Sequence, residues 1–294
     1  MKIAVVGPGG VGGFLAAMLS RAGHEVILVA RQETARIITT SGLTLESRTF
    51  GRFTMRPRVV TTLDEPVQLL FITVKAYDLE AAIDTISQRS VGAAVIIPLL
   101  NGFEHIPVLR ERLGARIAPG MISIVAMKKN TATILHTSPH ASIEIASREV
   151  PHNTLTLVAD ILTTAGIATR VLESEAEVIW RKFSRLAPLA AVTAALQKDL
   201  GHVREEDAAF LGELVRESAE AAEVAGAPIT KESIISDIES LPAEVTTSLQ
   251  RDVAAGHPTE CDAIIGAIVR LLEQHHISHD AFDRANQLIQ GGLS

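Results

Sequence analysis

At 294 residues, 47% of them hydrophobic, the chain is too long for most single cores and fits two domains. A formal net charge of −7 argues against a nucleic-acid partner. The lone Cys261 excludes an intrachain disulfide and points to a reducing, cytoplasmic setting. Aromatics make up only 3%, so packing rests on Ala, Val, Ile and Leu, which favours helices and buried parallel strands. No apolar run reaches the roughly 18 residues that a membrane span needs, and Met1–Gly13 holds too short an apolar stretch for a signal core.

In chain order, Ile3–Val6 reads as a short buried strand ending at Gly7. Val11–Arg21 has helical spacing, with Val11, Leu15, Met18 and Leu19 on one side, and Gly23 is its stop. Glu25–Val29 is the next strand. Leu69–Val74 and Ala94–Ile97 are further apolar strands, each followed by a helix. The segment 117–145 is richer in strand signals, 153–165 predicts a helix, and 168–172 predicts a last strand. From Ser174 onward the pattern is helical. The expectation is an α/β protein: an N-terminal Rossmann-type doubly wound sheet over 1–173, then an all-helical domain over 174–294. The boundary rests on the change of period, since no Pro/Gly linker marks it.

The first motif with chemical content is Gly7-Pro8-Gly9-Gly10-Val11-Gly12, which matches G-x-G-x-x-G between a strand and a helix. The first glycine permits a tight turn, the second lets backbone approach a pyrophosphate, and the third lets the helix pack on the strand. The helix N-terminus then offers amides and partial positive charge to phosphates. An NAD site ordinarily carries Asp or Glu at the end of the second strand. Here Val29 runs into Ala30 and Arg31, whose guanidinium suits a 2′-phosphate, so NADP(H) is the expected cofactor. The alternative is a surface arginine at the strand end, with cofactor choice open. Residues 1–60 carry eight Lys or Arg against three acids, compatible with a local anion site or with an uneven surface.

Taken together, the glycine turn, Arg31, Val74-Lys75-Ala76, Asn101-Gly102, Trp180-Arg181-Lys182, Ser248, and Thr259-Glu260 with Asp262 resemble the ketopantoate reductase (2-dehydropantoate 2-reductase) family in order and spacing, over essentially the whole chain. The resemblance implies a reductase passing hydride from NADPH to a small 2-oxo acid. It implies Lys182 as general acid and Glu260 near Lys182 and the cofactor ribose. Asn101 would touch cofactor and substrate, Lys75 would lie close to the nicotinamide end, Ala126 would make a main-chain cofactor contact, and Ser248 would bind substrate. The chemistry is coherent, because a nearby cation stabilises the negative charge that hydride leaves on a carbonyl oxygen and can supply its proton. If 175–196 is helical, Lys182 shares a face with the apolar Ile179, Leu186 and Ala190, and desolvation there would lower its pKa.

Each of these residues also has an ordinary structural reading. Lys182 could be a surface lysine beside Arg181 and Arg185. Thr259 could cap a helix with Glu260 and Asp262 in its first turn, Asn101-Gly102 could be a plain turn, and Ser248 closes a Thr-Thr-Ser run.

The chain departs from the family pattern at Leu186, Ala190 and Leu200, where the family carries substrate asparagines. Each lost hydrogen bond is worth about 1 kcal/mol or more, so ketopantoate should be gripped differently or replaced by a more apolar 2-oxo or 2-hydroxy acid. Two further alternatives are a non-reacting NADP(H) sensor and an NAD-dependent hydroxy-acid dehydrogenase. Pro188 inside the same helix should bend it near Ser184. His275, His276 and His279 sit late in a predicted helix, but no metal is expected. The lone thiol reads as a small residue at least half-buried. The chain is compatible with a monomer or homodimer.

Overall fold

The computed structural model describes residues 1–114 and 116–292. The chain divides into two compact units, one of Met1–Leu100 with His105–Val178, the other of Asn101–Glu104 with Ile179–Ser294. Among the described residues no helix is long and apolar enough to cross a membrane.

The first unit is built on six parallel strands: β1 (Lys2–Val6), β2 (Glu25–Val29), β3 (Arg58–Val60), β4 (Leu69–Ile72), β5 (Val95–Pro98) and β6 (Arg116–Ile117). They lie in the order β3-β2-β1-β4-β5-β6. The order reverses between β1 and β4, which are neighbours in register from Ile3↔Leu69 to Val6↔Ile72. That is the doubly wound arrangement expected from the alternating pattern. Its switch point is the crevice where such folds bind ligands, at the carboxyl ends of β1 and β4. The four central strands β1, β2, β4 and β5 are buried along almost their whole length, as apolar runs covered on both faces require.

Two smaller sheets complete this unit. One orders Ala126–Asn130, Thr133–His136, Leu43–Ser47 and Gly51–Met55. The other orders Ala168–Val171, Ser142–Ile145 and Gly120–Ser123. The strand-rich character of 117–145 is accounted for by four strands of these sheets, whereas the pair at 43–55 has no counterpart in the sequence reading. That pair is short, and its second strand is exposed or half-buried, so its apolar alternation is weak. The four-stranded sheet changes the first helix, Gly10–Arg21. Instead of one apolar stripe, everything from Gly12 to Leu19 is buried. Leu15 and Met18 share the core with β1, while Phe14 meets Phe50 and the buried His136, and Gly13 lies against Ile134.

The second unit is helical throughout its described secondary structure. Its spine is the 22-residue helix Glu175–Leu196, whose first turn belongs to the first unit. Pro188 lies inside it and cannot donate to the carbonyl four residues back. That carbonyl, on Ser184, accepts instead from the Ser218 hydroxyl at 2.7 Å, and both serines are buried. What the structure shows at Pro188, where the sequence predicts a bend, is a reassigned hydrogen bond supplied by the neighbouring helix Ala208–Val224. Ser218→Ala would leave the carbonyl buried and unsatisfied and should cost about 1–3 kcal/mol, read as a lower midpoint in urea unfolding. The same helix supplies Glu217, whose buried carboxylate accepts from the Ala281 and Phe282 amides (3.0 and 3.1 Å) and so caps the last helix, Asp280–Gly292.

The three histidines are not late in a helix. His275 follows Ala267–Gln274, His276 has φ +57°, and His279 precedes Asp280–Gly292, pairing with Asp283 at 2.8 Å. The turn between the two helices accounts for them.

Candidate active site

The glycine turn sits at the switch point, and its geometry explains each glycine in turn. Gly7 has φ +94°, a left-handed conformation that side chains resist, and packs on Val74 just past β4. A Cβ on Gly10 would stand 2.1 Å from the Ala126 carbonyl oxygen, and one on Gly12 would stand 2.1 Å from that of Gly7 and 2.3 Å from the Thr73 hydroxyl. At Gly9 the nearest atom would be 4.0 Å away, so its backbone faces open space. The first intrahelical bond runs from Gly13 N–H to Gly9 O, so the amides of Gly10, Val11 and Gly12 have no intrahelical acceptor. No acid stands in the helix's first turn. A cradle of backbone amides, positive by the helix dipole and closed to side chains, fits a pyrophosphate.

The structure thus brings Ala126 against Gly10, although 116 positions separate them in the chain. Pro8 and Val11 are half-buried within the turn. Lys75 stands just beyond β4, immediately before the single turn Ala76–Asp78. Two nearby residues carry weight that the sequence reading did not assign. The Thr73 hydroxyl donates to the Val6 and Gly7 carbonyls, both at 2.8 Å, and so pins the turn. Asp78 pairs with Arg31 at 2.5 Å, and the Arg31 side chain is 80% exposed at the end of β2.

The second group lies in the helical unit. Segment Asn101–Glu104 is flanked on both sides by chain of the first unit yet belongs to the second. Its attachments explain why. Phe103 packs with Trp180 and Phe183 at centroid distances of 5.5 and 5.8 Å, Glu104 pairs with Arg270 at 2.6 Å, and Gly102 (φ +84°) sits so close to the Ala263 carbonyl that a Cβ would be 2.4 Å from its oxygen. Held this way, the Asn101 amide donates to Glu260 Oε2 at 3.3 Å. A domain boundary read at 173 from periodicity has no means of anticipating this excursion.

Glu260 is only 5% exposed and precedes a helix that starts with a π-turn, Asp262–Gly266. Capping is present, since the Thr259 hydroxyl accepts from the Cys261 amide at 3.4 Å, and Asp262 in the first turn pairs with Arg270. Capping does not account for Glu260 itself, which is buried and bonded to Asn101. π-turns cluster at functional positions. Cys261 is half-buried, and burial pushes its thiol up to about 11, so it is not a nucleophile at neutral pH.

Lys182 is half-buried on the long helix. Burial brings its ammonium down to about 8, Arg185 acts in the same direction, and the Glu260 carboxylate opposes both. A lysine poised there is still protonated at pH 7 yet able to release a proton near neutrality. Of the three apolar positions that depart from the family pattern, Leu186 is half-buried, while Ala190 and Leu200 are 2% and 0% exposed and serve the helical core. Ser248 is exposed in the first turn of helix Ser248–Ala254 and makes no hydrogen bond to Lys182, Glu260 or Asn101 among the described residues.

Residues 3–149 match the family Ketopantoate reductase PanE/ApbA, and residues 176–291 match its C-terminal domain. A 2-dehydropantoate 2-reductase of Caulobacter vibrioides is 29% identical over 288 residues, covering 95% of each chain. An uncharacterized oxidoreductase of Bacillus subtilis, YkpB, is 27% identical over 283 residues, covering 92% of this chain and 91% of its own. Among solved structures, a PanE/ApbA family ketopantoate reductase from Ralstonia eutropha superposes with a TM-score of 0.90 at 24% identity, over 100% of this chain and 98% of that one. D-mandelate dehydrogenase, solved with NADH and anilino(oxo)acetate, also has a TM-score of 0.90, at 21% identity and the same coverage. With both family domains matched in order around a Rossmann sheet and a helical unit, the chain belongs to the ketopantoate reductase family, oxidoreductases that interconvert C=O and CH–OH groups with a nicotinamide cofactor.

Proposed function

We propose that the protein is an NADPH-dependent reductase of a 2-oxo acid, of the 2-dehydropantoate 2-reductase type, with Lys182 as the proton donor. The observation that carries this reading is the gathering of Lys182 with the Asn101–Glu260 pair in one unit, where burial brings the lysine down to about 8.

The residues present fit the cofactor. Gly7 to Gly12 and the Ala126 backbone would cradle the pyrophosphate, Arg31 would meet the 2′-phosphate, and Lys75, Asn101 and Glu260 would line the ribose and nicotinamide end. NADPH, when bound, supplies the hydride. Lys182 then donates its proton to the carbonyl oxygen as negative charge develops there, which lowers the barrier to addition. Glu260 keeps the ammonium from falling further below its ordinary pKa, and Asn101 fixes that carboxylate. In the reverse direction the neutral lysine accepts the hydroxyl proton.

A second reading concerns the substrate side chain. Leu186 stands one turn from Lys182 where a polar residue would grip a hydroxylated substrate, which favours a more apolar 2-oxo acid over 2-dehydropantoate. Following NADPH loss at 340 nm with 2-dehydropantoate and a series of branched and aromatic 2-oxo acids tests both readings. Turnover with any of them supports the reductase and ranks the substrates, while tight NADPH binding with no turnover would favour a sensor.

The cofactor assignment has its own test. Arg31→Ala should raise the NADPH Kd by about tenfold or more and leave that for NADH nearly unchanged, because only the 2′-phosphate loses a charge-assisted fork. Equal changes for both cofactors would reject it. Asp78→Asn, which removes the competing carboxylate, should tighten NADPH.

A further inference from the structure

We propose that Arg185 anchors the carboxylate of the substrate, one helical turn from the lysine that protonates its carbonyl. The inference rests on the 2-oxo acid reading above and adds the group that recognises the acid.

Arg185 follows Lys182 by three residues on one unbroken helix, so the two side chains are neighbours on its surface. Its side chain is 32% exposed, and its one ion pair is a 3.8 Å contact from Nε to Asp237, a carboxylate that is itself 58% exposed. Among the described residues its guanidinium makes no hydrogen bond. Other arginines of this unit differ. Arg270 is forked onto Glu104 and Asp262, Arg216 onto Glu220, and Arg204 donates to two backbone carbonyls. A guanidinium has five donors in a planar fork. Withdrawing most of it from water without using those donors is costly, and a long contact to an exposed carboxylate offsets little.

The surroundings define what would fit. Leu186, half-buried one turn beyond Lys182, offers no polar group for an anion. The unused guanidinium is a group that can hold an anion there, and a carboxylate matches its fork bidentately. In a 2-oxo acid the carboxylate and carbonyl are on adjacent carbons, so one molecule can meet two cations separated by one turn. The pair also acts on the proton. Arg185 is one of the groups holding the Lys182 ammonium down, and neutralising it with a carboxylate would let Lys182 keep its proton until transfer.

Two variants, Arg185→Leu and Arg185→Lys, test this against a branched 2-oxo acid and its methyl ester. Loss of a charge-assisted pair predicts about a 10²-fold fall in kcat/KM for the acid in Arg185→Leu, with the ester changed less than about threefold. Arg185→Lys should lie between, and NADPH affinity should stay within about twofold. The basic limb of the kcat/KM profile should also move to higher pH in Arg185→Leu, because a neighbouring positive charge is gone. Binding is read separately from turnover by titrating oxamate against the fluorescence of Trp180, the only tryptophan, two positions from Lys182. Wild type should respond and Arg185→Leu should not. The proposal is overturned if acid and ester fall together, if Arg185→Leu retains oxamate affinity, or if wild type binds no oxamate. Should Arg185→Leu fail to fold, the acid-to-ester ratio of Arg185→Lys decides, an unchanged ratio rejecting the anchor. Oxamate binding that depends on Arg185 in a protein that reduces no 2-oxo acid would uphold the anchor while removing the reductase reading.

Discussion

Lys182→Met should abolish reduction and stabilise the fold at the same time. Removing a general acid typically costs 10²–10⁴-fold, and the lysine also supplies the charge that stabilises the oxyanion, so kcat should fall by about 10³-fold or more. The stability gain follows from linkage. Lys182 is near 8 in the folded chain against an ordinary 10.5. A lysine whose folded pKa is lowered is penalised wherever the folded state must carry the charge. That penalty is full below pH 8 and fades as pH rises toward 10.5. Methionine removes it, so at pH 7 the variant should gain about 1–3 kcal/mol, visible as a higher Tm with NADPH affinity intact. The pH dependence carries a matching signature. Reduction needs the ammonium, so kcat/KM should be flat below pH 8 and fall about tenfold per unit above it, while oxidation of the hydroxy acid should rise through the same midpoint. A variant that loses activity together with stability would point to a structural lysine, and a profile flat to pH 10 would remove Lys182 from proton transfer.

Gly12→Ala is the second large expected effect. A Cβ there meets the Gly7 carbonyl oxygen at 2.1 Å and the Thr73 hydroxyl at 2.3 Å. Neither can retreat cheaply, because Thr73 donates to the same Gly7 carbonyl and to Val6, and the helix is enclosed on both faces. Overpacking of this kind costs typically 1–3 kcal/mol. Displacing the helix start also misaims the amides of Gly10 and Val11, so the NADPH Kd should rise by about 30-fold or more, the equivalent of about 2 kcal/mol. Gly9→Ala is the control. Its Cβ would have no atom closer than 4.0 Å, so stability should hold while pyrophosphate binding weakens. Isothermal titration and urea unfolding separate the two outcomes. If Gly12→Ala and Gly9→Ala behave alike, tight helix packing is not what Gly12 provides.

The glycine turn was legible because its parts are contiguous: strand, turn and helix follow within 20 residues, and each step leaves a local mark on composition. The place of Arg31 at a strand end was legible for the same reason, since it lies two residues past β2. The Asn101–Glu260 pair was not readable from spacing, since 159 positions separate its members and either residue alone suits a turn or a cap. Only the resemblance to a known family suggested their roles. Arg185 left no sign of how its donors are used, because an arginine on a helix looks the same whether they face water or stand unused. Its spacing of three from Lys182 was visible, but the weakness of its contacts was not. Leu186, Ala190 and Leu200 were read as one departure, yet two of them are core residues and only Leu186 remains half-buried beside the lysine.

By itself, the sequence determined the alternation that makes a doubly wound sheet, the glycine turn between its first strand and helix, and the helical character after residue 174. These depend on local periodicity and on glycines whose backbone freedom acts where they stand. Tertiary structure decided that Asn101–Glu104 joins the helical unit, that the first helix is enclosed by two sheets, that Ser218 satisfies the carbonyl freed by Pro188, and that Lys182 is held near 8. Those outcomes turn on burial and on partners far away in the chain. Burial sets the energy of a charge or an unpaired carbonyl, and it exists only once the distant segments have packed.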